Sequence, residues 1–375
     1  MDFYMPTKVH LEKGCVKKYT KELTSLGTKA LIVTGRSSSK KNGSLSDITN
    51  ALTSEGVLYI IFDEIEENPS VETVMKGAKI GIQEHADFVI GIGGGSPMDA
   101  AKAIALMIAN PEESESLLYE SRPAPVLPVV AVPTTAGTGS EVTPWAVLTR
   151  HSERTKQSIS HRIFPTLALI DHSYMAFASR DILVCTAIDA LAHQNESYLN
   201  TKTTILNRMA AEYGLRLWGS VKDVLLSGDT PSDSECQTLM LASTIAGMAI
   251  AHTGTGLPHG MSYYLTYEHG IPHGNAVGIF LPAYLDIFED REQVKRLLLL
   301  LDFKNEKAFT KYIDSLFEVV TLNESDVKRF IDGMLSNKKK LANYPFTMTD
   351  EKFYRMYKNS VHIKKAKKFS LFGKK

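Results

Sequence analysis

Asp189 and His193 stand four residues apart in Ala187-Ile-Asp189-Ala-Leu-Ala-His193, a segment of helical composition. On a helix that spacing puts both side chains on one face, and one helix can then give two ligands to a single metal ion. A surface Asp–His pair has the same spacing, so the pair alone decides nothing. Farther along, His252-Thr-Gly-Thr-Gly-Leu-Pro-His259-Gly260 and Pro272-His273-Gly274 add imidazoles beside glycine-rich backbone. Asp189 with His193, His259 and His273 makes a donor set suited to Fe(II) or Zn(II), with positions left open for a substrate oxygen. The remaining histidines share no such spacing, and packing or surface exposure is their default. Among them His269 stands out only by lying four residues before His273.

A second kind of chemistry is suggested by Gly93-Gly94-Gly95-Ser96-Pro97, placed between an apolar run and an alanine-rich one. Glycines there let backbone amides approach a pyrophosphate, and a helix start adds its positive dipole end. Ser96 is expected as the N-cap, Pro97 as the first helical residue, and Asp99 as the far side of an approximate capping box. A glycine-rich turn with a good cap would read the same way, and the GxGxxG pattern is not met. The stretch Pro133-Thr134-Thr135-Ala136-Gly137-Thr138-Gly139-Ser140-Glu141-Val142-Thr143 follows the next apolar run directly. Two such loops at one sheet edge favour a phosphate-bearing cofactor over two ordinary turns.

Positioning these loops requires a parallel sheet. Strands are expected at Ala30–Thr34, Val57–Phe62, Phe88–Ile92 and Leu127–Val132, with helical patterns between them, including about 71–84 and 97–109. Strands about thirty residues apart that return through helices mean βαβ units. After about Ile182 strand signals stop, and stripes such as Ile205, Met209, Tyr213 and Leu217 at i+4 mark helices. The expected fold is therefore an α/β N-terminal domain with a mostly parallel dinucleotide-binding sheet over 1–180, and an all-helical domain over 181–375. The boundary falls near 172–182.

Composition sets the remaining bounds. The 375 residues balance 42 Lys+Arg against 42 Asp+Glu, so no global field favours nucleic acid or an anionic membrane. The lysines concentrated in 361–375 read as a solvated tail. Cys15, Cys185 and Cys236 form no CxxC pair, which fits a reducing compartment. Neither a signal-peptide core nor a membrane-length apolar run is present, so a cytoplasmic protein is expected.

Together, Gly93-Gly-Gly-Ser-Pro-Met-Asp99, the Pro133–Thr143 loop, Ile188-Asp-Ala-Leu-Ala-His193, Leu257-Pro-His-Gly260 and Pro272-His-Gly274 resemble the iron-containing, or group III, alcohol dehydrogenase family. They come in its order and spacing, over about residues 3–358, and look most like its 1,3-propanediol, butanol and lactaldehyde reductase branch. The resemblance implies an active site in the cleft between the two domains. It implies Asp189, His193, His259 and His273 as metal ligands. Gly94, Gly95, Ser96 and Asp99 are then expected at the pyrophosphate and nicotinamide, and Thr134, Thr135, Thr138, Thr143 and Lys156 around the rest of the dinucleotide. The implied activity is hydride exchange between nicotinamide C4 and a small alcohol or carbonyl compound, with Fe(II) or Zn(II) polarising the oxygen. Homodimers or larger oligomers follow only by analogy.

Two departures from the family pattern bear on mechanism. Many relatives carry a proton-relaying histidine four residues after the third ligand, where this chain has Tyr263. Tyr263 can donate a hydrogen bond or simply pack, and His269 or water is the alternative carrier. Many NAD-preferring relatives also place an acidic residue after the first strand, whereas here Thr34 is followed by Gly35-Arg36-Ser37-Ser38-Ser39-Lys40-Lys41. Glycine leaves room for a 2′-phosphate that hydroxyls and cations can bind, so NADP(H) is expected over NAD(H). Rival readings are a dehydroquinate synthase-like lyase, a glycerol dehydrogenase-like enzyme, and a binding protein without turnover.

Overall fold

The computed structural model describes residues 3–364; the basic tail expected from the sequence lies almost wholly outside them. Six strands form one fully parallel sheet: β1 (Lys8–Leu11), β2 (Lys29–Thr34), β3 (Leu58–Phe62), β4 (Phe88–Gly93), β5 (Val129–Pro133) and β8 (Leu167–Ile170). Their spatial order is β1-β8-β5-β4-β2-β3. Between β5 and β8 the chain makes an antiparallel hairpin, β6 (Val147–Arg150) and β7 (Thr155–Ser158).

Burial on both faces explains why the inner strands are nearly continuous in Val, Ile and Leu. Leu31 and Val33 of β2 pack on one side with Val74 of α2 (Val71–Gln83) and Ile104 of α3 (Gly95–Ile108). Ala30 and Ile32 pack on the other side with Leu45, Ile48 and Leu52 of α1 (Ser44–Ser54). The strands expected from the sequence are present within a residue or two of their anticipated ends. β1, β8 and the hairpin are additions to that reading.

From Arg180 onward the chain is mainly helical, with a core from Leu183 to Val361 that also takes in Ala136, Ala168, Ile170 and Met175 of the first half. The elements that matter for the site are α4 (Arg180–Tyr198), α5 (Ile205–Ser220), α6 (Asp233–Thr253), α7 (Leu257–His269), α8 (His273–Gly278) and α9 (Lys338–Leu341). One small parallel pair, β9 (Thr321–Asn323) with β10 (His362–Lys364), accompanies them. The Ile205–Met209–Tyr213 stripe does lie on a helix, but it faces outward, at 69%, 66% and 54% exposure. α5 buries Asn207, Ala211, Gly214, Leu215 and Trp218 instead. Gly214 leaves no room for a Cβ against Gln194 and Ile245, so the small face, not the greasiest one, makes the close approach to α4 and α6. No helix among the described residues is long and apolar enough to cross a membrane.

The halves meet backbone to backbone. A Cβ on Gly139, which has φ +61°, would lie 2.5 Å from the Gly247 Cα of α6. Beside this contact the Thr244 hydroxyl donates to the buried Glu141 carboxylate at 2.8 Å.

Candidate active site between the two halves

Leaving out the edge strand β1, the sheet order places β2 between β3 and β4, the strands that follow it in the chain. The connection leaving β2 therefore runs one way, to β3, and the one leaving β4 runs the other way, to β5, so that a crevice opens at the carboxyl ends of β2 and β4, where open α/β sheets bind ligands. Register pairs Thr34 with Ile92 and Gly93 with Pro133, so the segments starting at Gly35, Gly94 and Thr134 emerge side by side. The loops interlock closely. A Cβ on Gly94 would meet Thr135 Oγ1 at 3.1 Å, and one on Gly95 would meet Thr138 Cγ2 at 2.6 Å.

The helix start differs from the expected one. α3 begins at Gly95 with Gly94 as its cap, and no side chain caps it. Ser96, inside the first turn, accepts from the Asn68 amide at 3.1 Å instead. Asp99 forms no capping box, because Ser140 Oγ (2.5 Å) and the Val147 amide (2.9 Å) occupy its two oxygens. The first-turn amides of α3 thus have no side-chain acceptor while facing the crevice, the arrangement an anion completes. Thr134 and Thr143 are buried in the adjoining loop, and Thr138 Oγ1 accepts from the Ser140 amide at 3.3 Å.

Lysines line the same floor. Lys102, fully buried, donates to Ser140 O, Ser140 Oγ and Trp145 O and stands 3.7 Å from Asp99. Burial lowers its pKa to about 8, against the pull of Asp99 and Glu141. Burial also raises the Asp99 carboxyl. Lys156, on the hairpin, donates to Asn68 Oδ1 at 2.6 Å. Burial lowers its pKa, while Asp189 and Asp99 act in the opposite sense. At the β2 end, Arg36 and Ser37 are exposed, and Lys40 pairs with Asp63 at 2.5 Å. Ser39 is buried and accepts from Thr34 Oγ1 at 2.8 Å, a structural contact.

The four anticipated ligands converge across this crevice. Ligand atoms of Asp189, His193 and His259 all lie within 4.8 Å of one another. Asp189 Oδ1 is 3.2 Å from His259 Nε2 and 3.7 Å from both His193 Nε2 and His273 Nε2. The i,i+4 spacing on α4 accounts for the first two, and a glycine accounts for His273. A Cβ on Gly274 would fall 1.8 Å from the Cys185 carbonyl oxygen, so only glycine lets α8 press against α4 and deliver His273. A Cβ on Gly260, beside His259, would meet the flexible end of Met334, at 2.7 Å.

Electrostatics fit a cation at this point. Asp189 is buried, which opposes ionisation, yet the three imidazoles hold its carboxyl below the ordinary range. Burial lowers His193 to about 4 and takes His273 well below its ordinary value. Burial also disfavours the His259 cation, but the Glu196 and Asp189 carboxylates outweigh it and raise the pKa to about 9. A buried carboxylate with three imidazoles, two of them held neutral, has the composition of an Fe(II) or Zn(II) centre.

Sequence reasoning passed over Glu196, Lys340 and Thr255. Glu196, 1% exposed, accepts from both the His259 amide and His259 Nδ1. Its signal was visible as the third member of Asp189-x3-His193-x2-Glu196, one helix face. Lys340 of α9 donates to Thr255 Oγ1 and lies 5.5 Å from the Tyr263 ring centroid. The Tyr263 ring in turn stacks alongside His273, centroids 6.0 Å apart. Burial, then Glu196 and Asp189, raises the Tyr263 phenol, with Thr255 acting the other way. Tyr263 is therefore brought to the site. His269 is not: it is exposed at the far end of α7, edge-on to Phe330 and roughly 15 Å along the helix from His259.

Comparisons with known proteins point to one family and one fold. The family model described as iron-containing alcohol dehydrogenase matches residues 6–172, and that of the Fe-containing alcohol dehydrogenase family C-terminal region matches 183–351. Lactaldehyde reductase of Escherichia coli is 32% identical over 275 residues, 72% of this chain and 71% of the relative. NADPH-dependent butanol dehydrogenase of Clostridium saccharobutylicum is 29% identical over 302 residues, 79% and 76%. The crystal structure of an iron-containing alcohol dehydrogenase from Thermotoga maritima superposes with a TM-score of 0.90 at 37% identity, covering 96% of this chain and 99% of that one. Neither the lyase nor the glycerol dehydrogenase reading gains from these matches.

Proposed function

This chain belongs to the iron-containing alcohol dehydrogenase family and is a metal-dependent, NAD(P)-linked alcohol dehydrogenase; we propose that it acts on small primary alcohols and aldehydes, with NADP(H) and with a metal held by Asp189, His193, His259 and His273. The single observation carrying the proposal is the convergence of three imidazoles on Asp189, facing the uncapped start of α3 across the cleft.

When bound, the metal supplies Lewis acidity at the substrate oxygen and the nicotinamide exchanges hydride with the substrate carbon. The protein's own residues do the rest. Gly94, Gly95 and Ser96, with Thr134, Thr135, Thr138, Thr143 and Lys156, hold the dinucleotide across the crevice. Asp99 ties the glycine loop to Ser140 and Val147 and orients that floor. Tyr263 Oη, kept protonated by burial, donates to the carbonyl oxygen in the reducing direction. Thr255 and Lys340 lead from it and resupply the proton.

NADP(H) preference is supported by Gly35, where a carboxylate is absent, by exposed Arg36 and Ser37, and by Lys40, which offsets the charge of Asp63. The butanol dehydrogenase relative is NADPH-dependent. A domain division at 180/181 is supported by the start of α4 at Arg180. Three free cysteines support a cytoplasmic location, and the exposed Ile205–Met209–Tyr213 face is of the kind a second copy covers in a homodimer.

The test is to strip the protein with chelator, restore Fe(II) or Zn(II) without oxygen, and follow oxidation of NADPH or NADH with butyraldehyde, lactaldehyde or 3-hydroxypropionaldehyde. Metal-dependent turnover that favours NADPH and is lost in His259→Ala is expected. Preference for NADH overturns the cofactor assignment alone, and turnover indifferent to metal overturns the site.

A further inference from the structure

We propose that Glu196 is the positioning residue of the metal centre: it holds the Nδ1 hydrogen and the orientation of His259, so that Nε2 points at the space Asp189 faces and is the nitrogen offered to a metal. The inference rests on the ligand set proposed above.

Both oxygens of Glu196 serve one residue. Oε1 accepts from the His259 backbone amide at 3.0 Å, and Oε2 meets His259 Nδ1. The carboxylate comes from α4, one turn beyond His193 and two beyond Asp189, so a single helix face supplies two ligands and the support for a third. Gly256, which precedes α7, has Glu196 Oε1 at 3.5 Å from where its Cβ would be, and no side chain of its own segment caps α7. Glu196 therefore does two jobs at once. It satisfies an amide of the first turn of α7, and it receives the Nδ1 proton of the ring that this turn carries.

The Nδ1 contact has a chemical consequence. A carboxylate only accepts, so Nδ1 keeps its hydrogen toward Glu196, and when a metal takes the place of the Nε2 proton that otherwise faces Asp189, the ring ligates through Nε2. That nitrogen is the one 3.2 Å from Asp189 Oδ1. The other two imidazoles are held less firmly. His193 Nδ1 meets the Gly137 carbonyl at 3.3 Å, and His273 Nδ1 is buried with no partner. Carboxylate support of a ligating imidazole fixes the ring and raises its basicity, and its loss typically costs about 10–100-fold in metal affinity.

Glu196→Gln separates positioning from packing. The amide oxygen can still accept from the His259 backbone, but its NH2 now faces Nδ1 and favours the tautomer with hydrogen on Nε2. Affinity of the metal-free protein for Zn(II) would be measured by competition with a chromophoric chelator, beside thermal unfolding of the same metal-free samples. The expected result is unfolding close to that of the unsubstituted protein and Zn(II) affinity weaker by about 10–100-fold. Glu196→Asp, which keeps the charge but retracts it, is expected to fall between, and it serves alone if the glutamine variant does not fold. Unchanged Zn(II) affinity in either folded variant overturns the positioning role. His259→Ala distinguishes the two levels: if it also binds Zn(II) undiminished, the ligand assignment itself fails.

Discussion

The Thr244 hydroxyl of α6 lies 2.8 Å from Glu141 Oε1, a hydrogen bond between the two halves made where neither side chain reaches water. Thr244→Val keeps the shape and removes the donor from a buried carboxylate. Leaving such a group without its partner costs about 1–3 kcal/mol. Urea unfolding should show that loss for Thr244→Val and much less for Thr244→Ser; equal stability of all three proteins would dismiss the bond as a tie between the halves.

Lys102 makes a prediction about alkaline pH. Its folded pKa of about 8 lies below the ordinary 10.5. Below pH 8 both folded and unfolded chains carry the proton, and the cost of burying the cation is fully present. Between 8 and 10.5 the unfolded chain binds more protons, so this residue's contribution to stability rises with pH. Lys102→Met is expected to be less stable at pH 7, since Ser140 and Trp145 lose their donor. It is also expected to lack that upward contribution, so the gap between the two proteins widens from pH 8 to 10. A constant gap in urea midpoints would refute it.

Gly35→Asp should reverse dinucleotide preference. A Cβ at Gly35 meets only the Ile65 carbonyl oxygen, at an ordinary 3.5 Å, so the side chain fits. The new carboxylate repels a 2′-phosphate and can bond a ribose diol. The ratio of kcat/KM for NADPH over NADH should fall by about 100-fold, or about 2.7 kcal/mol. A ratio that stays put would mean that discrimination lies elsewhere, with Arg36 the next candidate.

Tyr263→Phe removes one oxygen from the floor of the site while keeping the ring beside His273. If Oη moves the proton, kcat falls by about 100-fold or more with little change in KM. Loss confined to KM, or no loss, would reduce Tyr263 to packing and leave the proton to water.

Much of this was legible in the sequence, for reasons that can be named. β2, β4 and β5 are buried on both faces, so their apolar runs are unbroken. β1, an edge strand reading Lys-Val-His-Leu, and the polar β7, Thr-Lys-Gln-Ser, carry no such signature because neither is enclosed. Asp189 and His193 declared themselves through helical spacing. Their meeting with His273 depends on Gly274 letting its helix reach the Cys185 carbonyl, a fact about distant contacts. Glu196 was overlooked because a glutamate in a helix ordinarily faces water. Ser96 misled because its cap-like placement is local, while its partner, Asn68, is 28 residues away.

The contact of Gly139 with Gly247 has a consequence for the reaction's geometry. One binding half contributes the glycine and threonine loops, the other the imidazoles, and at this point only main chain separates them. A contact without side chains has no rotamers to slip, so the separation of the two halves at this point is set by peptide planes rather than by adjustable packing. A single methyl group at either glycine would act as a shim, widening that separation without altering any residue that touches the reactants.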